Sequence, residues 1–566
     1  MKKIKNLSLS TLFFCLSFFD IGFSQISLVP ANHDVYDWLH QQRINGSIRA
    51  FQYEDLPITR GEIVTFLKEI EKEKTSLSKS DKATLDAFLL EMDPIYLERA
   101  QEIGIFTGEG KIFDRLKHAF SFKEEPHVFV VSDSTTNVSA AFDIMFGRAH
   151  VFAREEGNPL SSTYYYKGAR AYASIQNTIG LHFEADNVST TGDIELIRRD
   201  KNWGYSDSII RQNQSSSYNY EAFATIKKDL LSLDIGRGSL RIGPGISSSL
   251  LLRESAPNFN WLRFKLSGSR VKYTAIHGSL YAAPFNDVVR VGADTVRTRV
   301  APERWIALHR ISVRPFDRLQ ISFTEMLTYS NRDSDLAYLN PVAPVFFSEL
   351  ENSDRDNAFI AMDIVAQPID QLELFGSILI DDLVSFKQII KDDGAANDDV
   401  ALNFGAIATL PFSSQFGIEY TRIEPFVYTH WQRLNTFEQR GQSLGHFLGP
   451  NADQFEVRLK KWLPLRAWVQ ASFRNVRKGF NPLNTENNEN NEIENVGGNL
   501  LQGRGNTGFI MFQNSDLNKW REFEFSFKVE PRRGIELSAN ILDRNILDGD
   551  RENNYLVGDF RLEIGF

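Results

Sequence analysis

The chain has 566 residues, a net charge of −10 and a mean hydropathy of −0.29. The acidic balance argues against nucleic acid as a partner, because a phosphate backbone needs a basic surface. Beyond the N-terminal segment, apolar runs stay below eighteen residues, which excludes a helical membrane protein. Aromatic residues still make up 12% of the chain, with 44 Phe. This profile is typical of a barrel whose lipid-facing positions alternate with polar ones.

Residues 1–24 have the pattern of a secretory signal peptide. Three lysines within the first five residues precede Leu12–Phe19, an apolar run too short to span a bilayer. Gly22 and Ser24 then occupy the small-residue positions before a cleavage site, which predicts Gln25 as the mature N-terminus. The only cysteine of the chain lies inside this segment, so the predicted mature chain forms no disulfide.

Residues 25–120 carry helical periodicity. Apolar residues within 35–39 fall on one face of a first short helix. Thr59 and Glu62 form a capping box ahead of a second apolar stripe, and a third helix is predicted within Ser80–Met92. The sequence therefore predicts a small helical domain on the periplasmic side of a membrane barrel.

From residue 121 to residue 566 the period is two, as in strands with one apolar and one polar face. About nineteen candidate strands can be counted, the first at 127–133. Because bacterial single-chain barrels have even strand numbers, the prediction is an all-β transmembrane barrel of about 18 antiparallel strands. The last strand, Tyr555–Phe566, ends on an aromatic residue and resembles the C-terminal assembly signal of bacterial outer-membrane barrels. Outer-membrane lipid and the barrel-assembly machinery are therefore expected partners.

The connections between these strands alternate in length. Short ones are predicted at 227–230, 315–318, 368–371, 411–415, 463–465 and 531–534. Long ones are predicted at 187–218, 243–258, 282–302, 329–357, 382–399, 429–453, 475–519 and 544–554. Such sorting is typical of a barrel in the bacterial outer membrane, with periplasmic turns at one end and surface loops at the other. A wide pore and a lumen closed by loops both fit this pattern.

Four stretches of the chain resemble capsule-assembly outer-membrane proteins of the Wzi type. They are Val29–Pro30 with 35–39, Gly46 and 57–63; Gly236–Arg237 with 243–245, 250–252 and 255–257; His309–Arg310 with Glu325 and 338–341; and Asp356–Asn357 with 379–382. The family usually has a tryptophan before the Gly-Pro-Gly turn, where this chain has Ile242.

The resemblance implies a closed 18-stranded barrel with a helical bundle at its periplasmic end. It also implies a surface lectin that attaches or organises capsular polysaccharide or exopolysaccharide. The alternative function is an outer-membrane porin or a polysaccharide-export channel. An open barrel would conduct ions in planar bilayers, whereas a closed lectin would not.

Ten residues of these stretches and of the loops are candidates for binding the polysaccharide. They are Arg237, Gly243, Gly245, Arg253, Ser255, Glu325, Tyr329, Asn340, Asp356 and Trp431. Planar polar groups suit hydroxyl networks, and aromatic faces suit sugar rings. The aromatic residues in or beside loops are Trp203, Tyr205, Tyr218, Tyr329, Trp431 and Trp520, and each can instead anchor the barrel in an interfacial girdle.

The turn Gly243–Gly245 has two interpretations, an inward-folded loop that presents polar groups to a sugar and a simple backbone bend. The acidic pairs at 381–382, 392–393 and 398–399 lack the spacing of a calcium loop, which favours a solvated acidic loop. Asn484–Asn495 is a low-complexity surface loop. HExxH does not occur, and the ten histidines show no metal-ligand spacing and no recurrent pairing with a serine motif, so the sequence predicts no enzyme, no metal and no cofactor.

Overall fold

The computed structural model describes residues 25–103, 105–106, 121–123, 125, 127–133, 135–155, 158–193, 195–196, 209–211, 214–283, 285–291, 294–351, 355–381, 399–482, 495–504, 510–548 and 554–565. Within them the chain forms a closed antiparallel β-barrel and a group of N-terminal helices. The predicted signal peptide, Trp203, Tyr205, Phe566 and most of the Asn-rich run lie outside the described residues.

Eighteen strands form the ring of the barrel, which confirms the predicted fold class and strand number. Their bounds are β1 Val138–Glu155, β2 Asn158–Ile175, β3 Ile179–Gly192, β4 Gln214–Lys228, β5 Leu231–Gly238, β6 Phe259–Ser267, β7 Val271–Tyr281, β8 Glu303–Phe316, β9 Leu319–Ser330, β10 Asn357–Ile369, β11 Leu372–Asp381, β12 Asp399–Leu410, β13 Ser414–Ile423, β14 Ala452–Trp462, β15 Trp468–Phe480, β16 Asp516–Arg532, β17 Ile535–Asp548 and β18 Tyr555–Gly565. The ring closes where β18 pairs with β1, from Tyr555↔Glu155 to Gly565↔Met145. The first of the nineteen candidates is a short extra strand, Phe129–Asp133, which pairs with the start of β1.

The outer face of the barrel is apolar. On β16, Phe523 and Phe525 are exposed, whereas Trp520 and Glu522 point inward and are buried. On β18, Phe560 and Leu562 are exposed in the same way and alternate with the charged residues of the lumen. The period-two pattern of the sequence therefore matches a lipid-facing outer surface. Among the described residues, helices that are both long and apolar enough to cross a membrane are not found.

The helices precede the barrel in sequence. Their bounds are α1 Asp34–Asn45, α2 Arg60–Lys72, α3 Lys79–Met92 and α4 Pro94–Ile103, with a 3₁₀ turn at Lys74–Ser76. Thr59 caps α2 by accepting from the backbone N–H of Glu62, whose carboxylate accepts from Thr59 in return, so the predicted capping box is confirmed. The proline at the start of α4 suits the first turn of a helix, where a missing N–H costs nothing.

The helices close the end of the barrel that carries the short turns. Trp38 and Phe88 form a core with Trp462 of β14, so helical and barrel side chains share one apolar cluster. The hydroxyl of Thr84 donates to the carbonyls of Leu463 (3.2 Å) and Leu465 (2.5 Å) in the β14–β15 turn. These contacts hold the helices in direct packing with the short-turn end of the barrel.

Two candidate strands end earlier in the structure than the sequence suggested. β5 stops at Gly238, and Arg241–Ile242 instead pairs with Asp55–Leu56 of the helical region. The candidate at 415–428 ends at Ile423, because the chain then turns into the lumen.

Several predicted loops contain regular structure of their own. The 282–302 connection holds a hairpin, Phe285–Val291 with Asp294–Val300. The 329–357 connection holds two short helices, α5 Leu336–Leu339 and α6 Val345–Glu351. Ile209–Arg211 pairs with β4, and Glu438–Gln439 pairs with Gln442–Ser443.

Candidate functional site

One side of the lumen is filled like the core of a soluble protein. We call it the packed half, and it comprises the lumen faces of β6–β13 with the two loops that fold against them, 239–258 (the first inward loop) and 424–451 (the second inward loop). Phe359 of β10 packs there against Phe437 of the second inward loop, with ring centroids 5.1 Å apart. Other members of this cluster include Trp261, Ile276, Leu280, Ile306, Leu308, Met326, Leu379, Ala401, Leu250, Leu251 and Tyr428. This half therefore leaves no room for a wide pore.

The first inward loop crosses the lumen to the opposite wall. The backbone N–H of Ile246 donates to the carboxylate of Glu419 on β13 at 2.6 Å. The hydroxyl of Ser247 donates to Glu456 on β14 at 2.6 Å, and Arg458 donates to the carbonyl of Ile246 at 2.9 Å. Because each contact joins the loop to a barrel strand, the loop is held as a crossbar inside the barrel.

The predicted turn Gly243–Gly245 is the start of this crossbar. Gly243 has φ +96° and donates its N–H to the carbonyl of Glu54 in the helical region at 3.0 Å. Gly245 has φ +148°, and a Cβ atom there would lie 2.0 Å from the carbonyl oxygen of Ser248. Both glycines are thus required by the backbone. Ile242 lies fully buried in the packed half, where it pairs with Leu252.

The second inward loop is pinned to the barrel at its base. Arg304 of β8 donates to the carbonyls of Leu434 (2.7 Å) and Thr436 (2.6 Å). Asn357 donates to the carbonyl of Asn435 at 3.0 Å. Trp431 projects from the same loop with 59% of its surface exposed, so a rigid base carries an open aromatic face.

Arg253 ties the two inward loops together. Its Nε donates to the carbonyl of Ser443 at 3.1 Å, and its Nη1 donates to the hydroxyl of Ser255 at 2.8 Å. Its own backbone N–H donates to the carbonyl of Leu444 at 3.0 Å. A buried guanidinium with these partners has its hydrogen bonds directed at the protein, so Arg253 shapes the site rather than facing solvent.

The other side of the lumen holds a cavity of about 1120 Å³. We call this side the cavity half; its wall is formed by the lumen faces of β1–β5 and β16–β18. Charged and aromatic side chains line it, among them Arg170, Glu184, Asp186, Tyr166, Glu536, Asp559, Arg561 and Glu563. Arg170 and Glu184 pair at 2.7 Å, and Arg561 donates to the hydroxyl of Tyr166 at 3.0 Å. The cavity is thus polar, with aromatic faces beside cations.

At the long-loop end, the rim beside the cavity carries side chains suited to a saccharide, and Arg237, Tyr220 and Asn260 lie there on the outer face of β4–β6. The guanidinium of Arg237 lies 4.6 Å from the ring centre of Tyr220 and donates to the Asn260 side chain at 3.5 Å. Asn258 donates to the backbone carbonyl of Tyr220 at 3.3 Å. Ser255, Asn258 and Arg440 also line this end. Arginine, amide and aromatic groups together can bind hydroxyl groups and the face of a sugar ring.

At the short-turn end, ion pairs join the helices to the turns of the barrel. Arg466 pairs with Glu91 of α3 at 2.6 Å and with Glu530 of β16 at 2.8 Å. Arg533 pairs with Glu530 at 3.1 Å. Burial alone would raise the pKa of Glu91, but Arg466 and His33 outweigh it and hold this pKa well below its usual range.

The structure distributes the ten candidate residues over three places. Arg237 and Ser255 border the cavity; Gly243, Gly245 and Arg253 build the inward loops; Trp431 is exposed on the second of these. Glu325, Tyr329, Asn340 and Asp356 lie together at the β9–β10 connection. There, Arg332 donates to both carboxylate oxygens of Asp356 at 3.0 and 2.5 Å, and the hydroxyl of Tyr338 donates to it at 2.7 Å.

The other residues raised by the sequence are placed as follows. Tyr218 is exposed, whereas Trp520 is buried and donates to Glu522 at 3.1 Å. Asp381 and Asp399 face each other across β11 and β12; Asp381 accepts from the N–H of Tyr428, and Asp399 pairs with Arg504. The remaining acidic residues of 382–398 lie outside the described residues. Within the part of the chain that is described, groups of three or more metal-ligating side chains are not found.

The sequence did not single out Tyr220, Asn258 or Arg440. Tyr220 lies within a strand, and the other two lie in loops that come together only when both inward loops fold. Their one sequence signal is proximity to loop ends, which many other polar residues of the chain share.

The model of the family "capsule assembly protein Wzi" matches residues 158–541. Among solved structures, the chain is similar to Wzi of Escherichia coli, an outer membrane protein involved in group 1 capsule assembly and reported as a carbohydrate-binding β-barrel. The two share 12% identity over 95% of this chain and 99% of that chain, with a TM-score of 0.54, which shows a shared fold.

Two Pseudomonas aeruginosa proteins, OpdQ and OccK1, are each 10% identical to this chain. The matches cover 75% of this chain and 98% of each of those chains, with TM-scores of 0.41 and 0.40. No curated protein matches the chain.

Proposed function

The chain belongs to the capsule assembly protein Wzi family, and on that premise we propose that it is an outer-membrane lectin that attaches or organises capsular polysaccharide or exopolysaccharide at the cell surface. The protein then acts by binding rather than by catalysis. The observation that carries the proposal is the rigid, exposed face of Trp431 at the long-loop end of a barrel whose lumen is packed on one side.

The proposal assigns different roles to the ten candidate residues. Trp431 stacks on a sugar ring, and Arg237 and Ser255 bind hydroxyl groups at the border of the cavity. Gly243, Gly245 and Arg253 hold the inward loops in place. Glu325, Tyr329, Asn340 and Asp356 shape the β9–β10 connection, since their polar atoms are mainly directed at neighbouring protein groups.

The proposal also sets the orientation of the molecule. Residues 1–24 are a signal peptide, residues 25–120 lie in the periplasm, and residues 121–566 form the barrel, inserted by the barrel-assembly machinery into outer-membrane lipid. The short-turn end then faces the periplasm, and Trp431 faces the outside of the cell. This arrangement is supported by the sorting of loop lengths, which is the rule in outer-membrane barrels.

The test is complementation in a capsulated host from which the gene has been deleted. We expect the deletion strain to release polysaccharide into the medium while synthesis continues, and the wild-type gene to restore attachment. Trp431→Ala should restore the barrel but not the attachment, because the stacking face is lost. Phe412→Ala is the matched control, since Phe412 is 78% exposed in a short turn at the opposite end. If the deletion strain keeps its capsule attached, the proposed function is wrong.

A second candidate function, transport through the barrel, is favoured by one observation. The cavity is lined by residues from the helical region, such as Asp34, and by residues of the long-loop end, such as Asn258. It therefore runs along most of the lumen. Stable single-channel conductance of the full-length protein in planar bilayers would support this function, whereas a silent bilayer agrees with the lectin.

A further inference from the structure

The lipid-facing surface of β8 and β9 changes character halfway along the strands. Near the short turn, this face exposes Ile311, Val313, Ile321 and Phe323. Towards the long loops, the same alternating positions carry His309 and Glu325, with Ala307, Leu327 and Tyr329 beyond them. Their neighbours Leu308, Arg310, Thr324 and Met326 are buried and face the lumen. Charged side chains are destabilising on the lipid face of a barrel, so the His309–Glu325 pair needs a cover.

The β9–β10 connection provides that cover by folding back over the outer wall. Tyr338 of α5 and Val345 of α6 form an apolar cluster with Ala307, Leu327 and Tyr329 of the barrel. The hydroxyl of Tyr273 on β7 donates to the carbonyl of Pro341, which fixes the turn between the two helices.

The carboxylate of Glu325 is satisfied beneath the connection. It accepts from the backbone N–H groups of Val345 at 2.9 Å and Phe346 at 3.3 Å, and from Nδ1 of His309 at 3.2 Å. His309 and Glu325 retain only 7% and 15% of their side-chain exposure. Two polar side chains on the outer wall are thereby sealed between barrel and connection.

The opposite face of the connection is apolar. Leu336, Val342, Phe347 and Leu350 are exposed by 82%, 85%, 63% and 54%. Among the described residues of this connection, the exposed charged side chains lie at its two ends, at Arg332, Asp333, Glu351 and Arg355. A connection in water would expose polar residues, and an isolated apolar patch of this kind marks an interaction surface.

We propose that residues 336–350, which we call the wall segment, are embedded in the bilayer and contact lipid acyl chains. The wall segment continues the apolar belt formed by Ile311 and Phe323. Lipid acyl chains that contact the belt therefore also contact the wall segment. Arg332 stays at the headgroup level, as charged residues do at the border of a membrane, and Asp333 lies beyond it in water. With the long loops outside the cell, the wall segment lies in the outer leaflet and replaces bare strand as the lipid-facing surface over the His309–Glu325 pair.

The experiment uses nitroxide labels on single cysteines in the mature full-length chain, whose own sequence lacks cysteine after residue 24. Val342→Cys and Phe347→Cys report on the wall segment. Phe323→Cys is the lipid reference, and Asp333→Cys is the aqueous reference. Each variant is reconstituted into phospholipid vesicles, and collision of the label with oxygen and with a neutral nickel chelate is measured by power saturation.

We expect both wall-segment labels to match Phe323→Cys, with an oxygen-to-nickel collision ratio at least about fivefold above that of Asp333→Cys, because oxygen concentrates in acyl chains and the chelate stays in water. Nickel access equal to that of Asp333→Cys would overturn the proposal. Low access to both reagents would also overturn it, because a second copy or another protein would then cover the segment. Heat-modifiable electrophoretic mobility shows that each variant is folded, and saccharide binding does not enter the result.

Discussion

The packed half and the cavity half are built from strands of the same barrel, yet they differ in what their lumen faces carry. Ile306 and Leu308 of the packed half are fully buried against the inward loops. Arg170 and Glu184 of the cavity half pair at the wall of an open cavity and keep about a third of their side-chain exposure. One barrel can therefore contain a dry core on one side of its lumen and a hydrated cavity on the other. Stability is then expected to depend mainly on the packed half.

The largest expected effect of a single substitution lies in the packed half. Phe359→Ala removes a ring that packs on Tyr428 and Phe437, and the resulting cavity should lower the free energy of unfolding by about 3–5 kcal/mol. The matched substitution in the cavity half, Tyr166→Ala, removes a half-buried ring beneath Arg561 and should cost about 1–2 kcal/mol. Denaturant titration in lipid vesicles, followed by tryptophan fluorescence, measures both. Equal losses would show that the two halves do not differ in packing.

The same contrast should appear between two ion pairs. Asp363→Asn leaves Arg310 buried without its carboxylate partner in the packed half, and we expect a loss of about 3 kcal/mol. Glu184→Gln breaks the hydrated pair with Arg170 and should cost less than about 1 kcal/mol. The same titration measures both variants. A costly Glu184→Gln would mean that the cavity half is dry in the folded protein.

The smallest expected effect is local and depends on pH. Burial raises the pKa of Asp37, but Lys460 and Arg458 outweigh it and hold this pKa below its usual range; Arg466 and His33 do the same for Glu91. Because the folded state lowers both values, the stabilisation is present above a pH of about 4 and is lost as the pH falls below it. Hydrogen exchange of α1 and α3 should therefore accelerate in acid before exchange of the barrel strands does.

Two variants sharpen this experiment. Lys460→Met removes the partner of Asp37 and should shift the loss of protection in α1 to higher pH. Lys519→Met is the control, because Lys519 pairs with the exposed Asp548 at the opposite end of the barrel. If Lys460→Met leaves the acid transition unchanged, the helices are held mainly by apolar contacts such as Trp38–Phe88–Trp462.

Much of the fold follows from local patterns. The strands of the cavity half, such as β16 and β18, alternate cleanly because one face meets lipid and the other meets charges. The capping box at Thr59 identified the start of α2, because its two hydrogen bonds are local. The sequence predicted the ends of β5 and β13 too late, at residues 242 and 428. In the structure these strands end at Gly238 and Ile423, because the chain there leaves the barrel wall and contacts distant residues.

The candidate site is less accessible to such reasoning. Arg237 and Ser255 were singled out and do border the cavity, yet Tyr220 and Asn258 beside them were not. Glu325 and Asp356 carry the right chemistry for a ligand, but the structure directs their oxygens to the α6 backbone and to Arg332. Residue type shows what a side chain can bind, whereas the fold decides whether a neighbouring protein group already occupies its hydrogen-bonding positions.

By itself, then, the sequence determined the barrel, its strand number and the sorting of its loops, because period two and turn chemistry are properties of neighbouring residues. The tertiary structure alone decided that the lumen is packed on one side and open on the other. It also decided that residues 336–350 lie on the outer wall, and that Gly243 donates to Glu54 of the helical region. These features depend on contacts between residues that are distant in the chain, and a local sequence pattern does not specify such contacts.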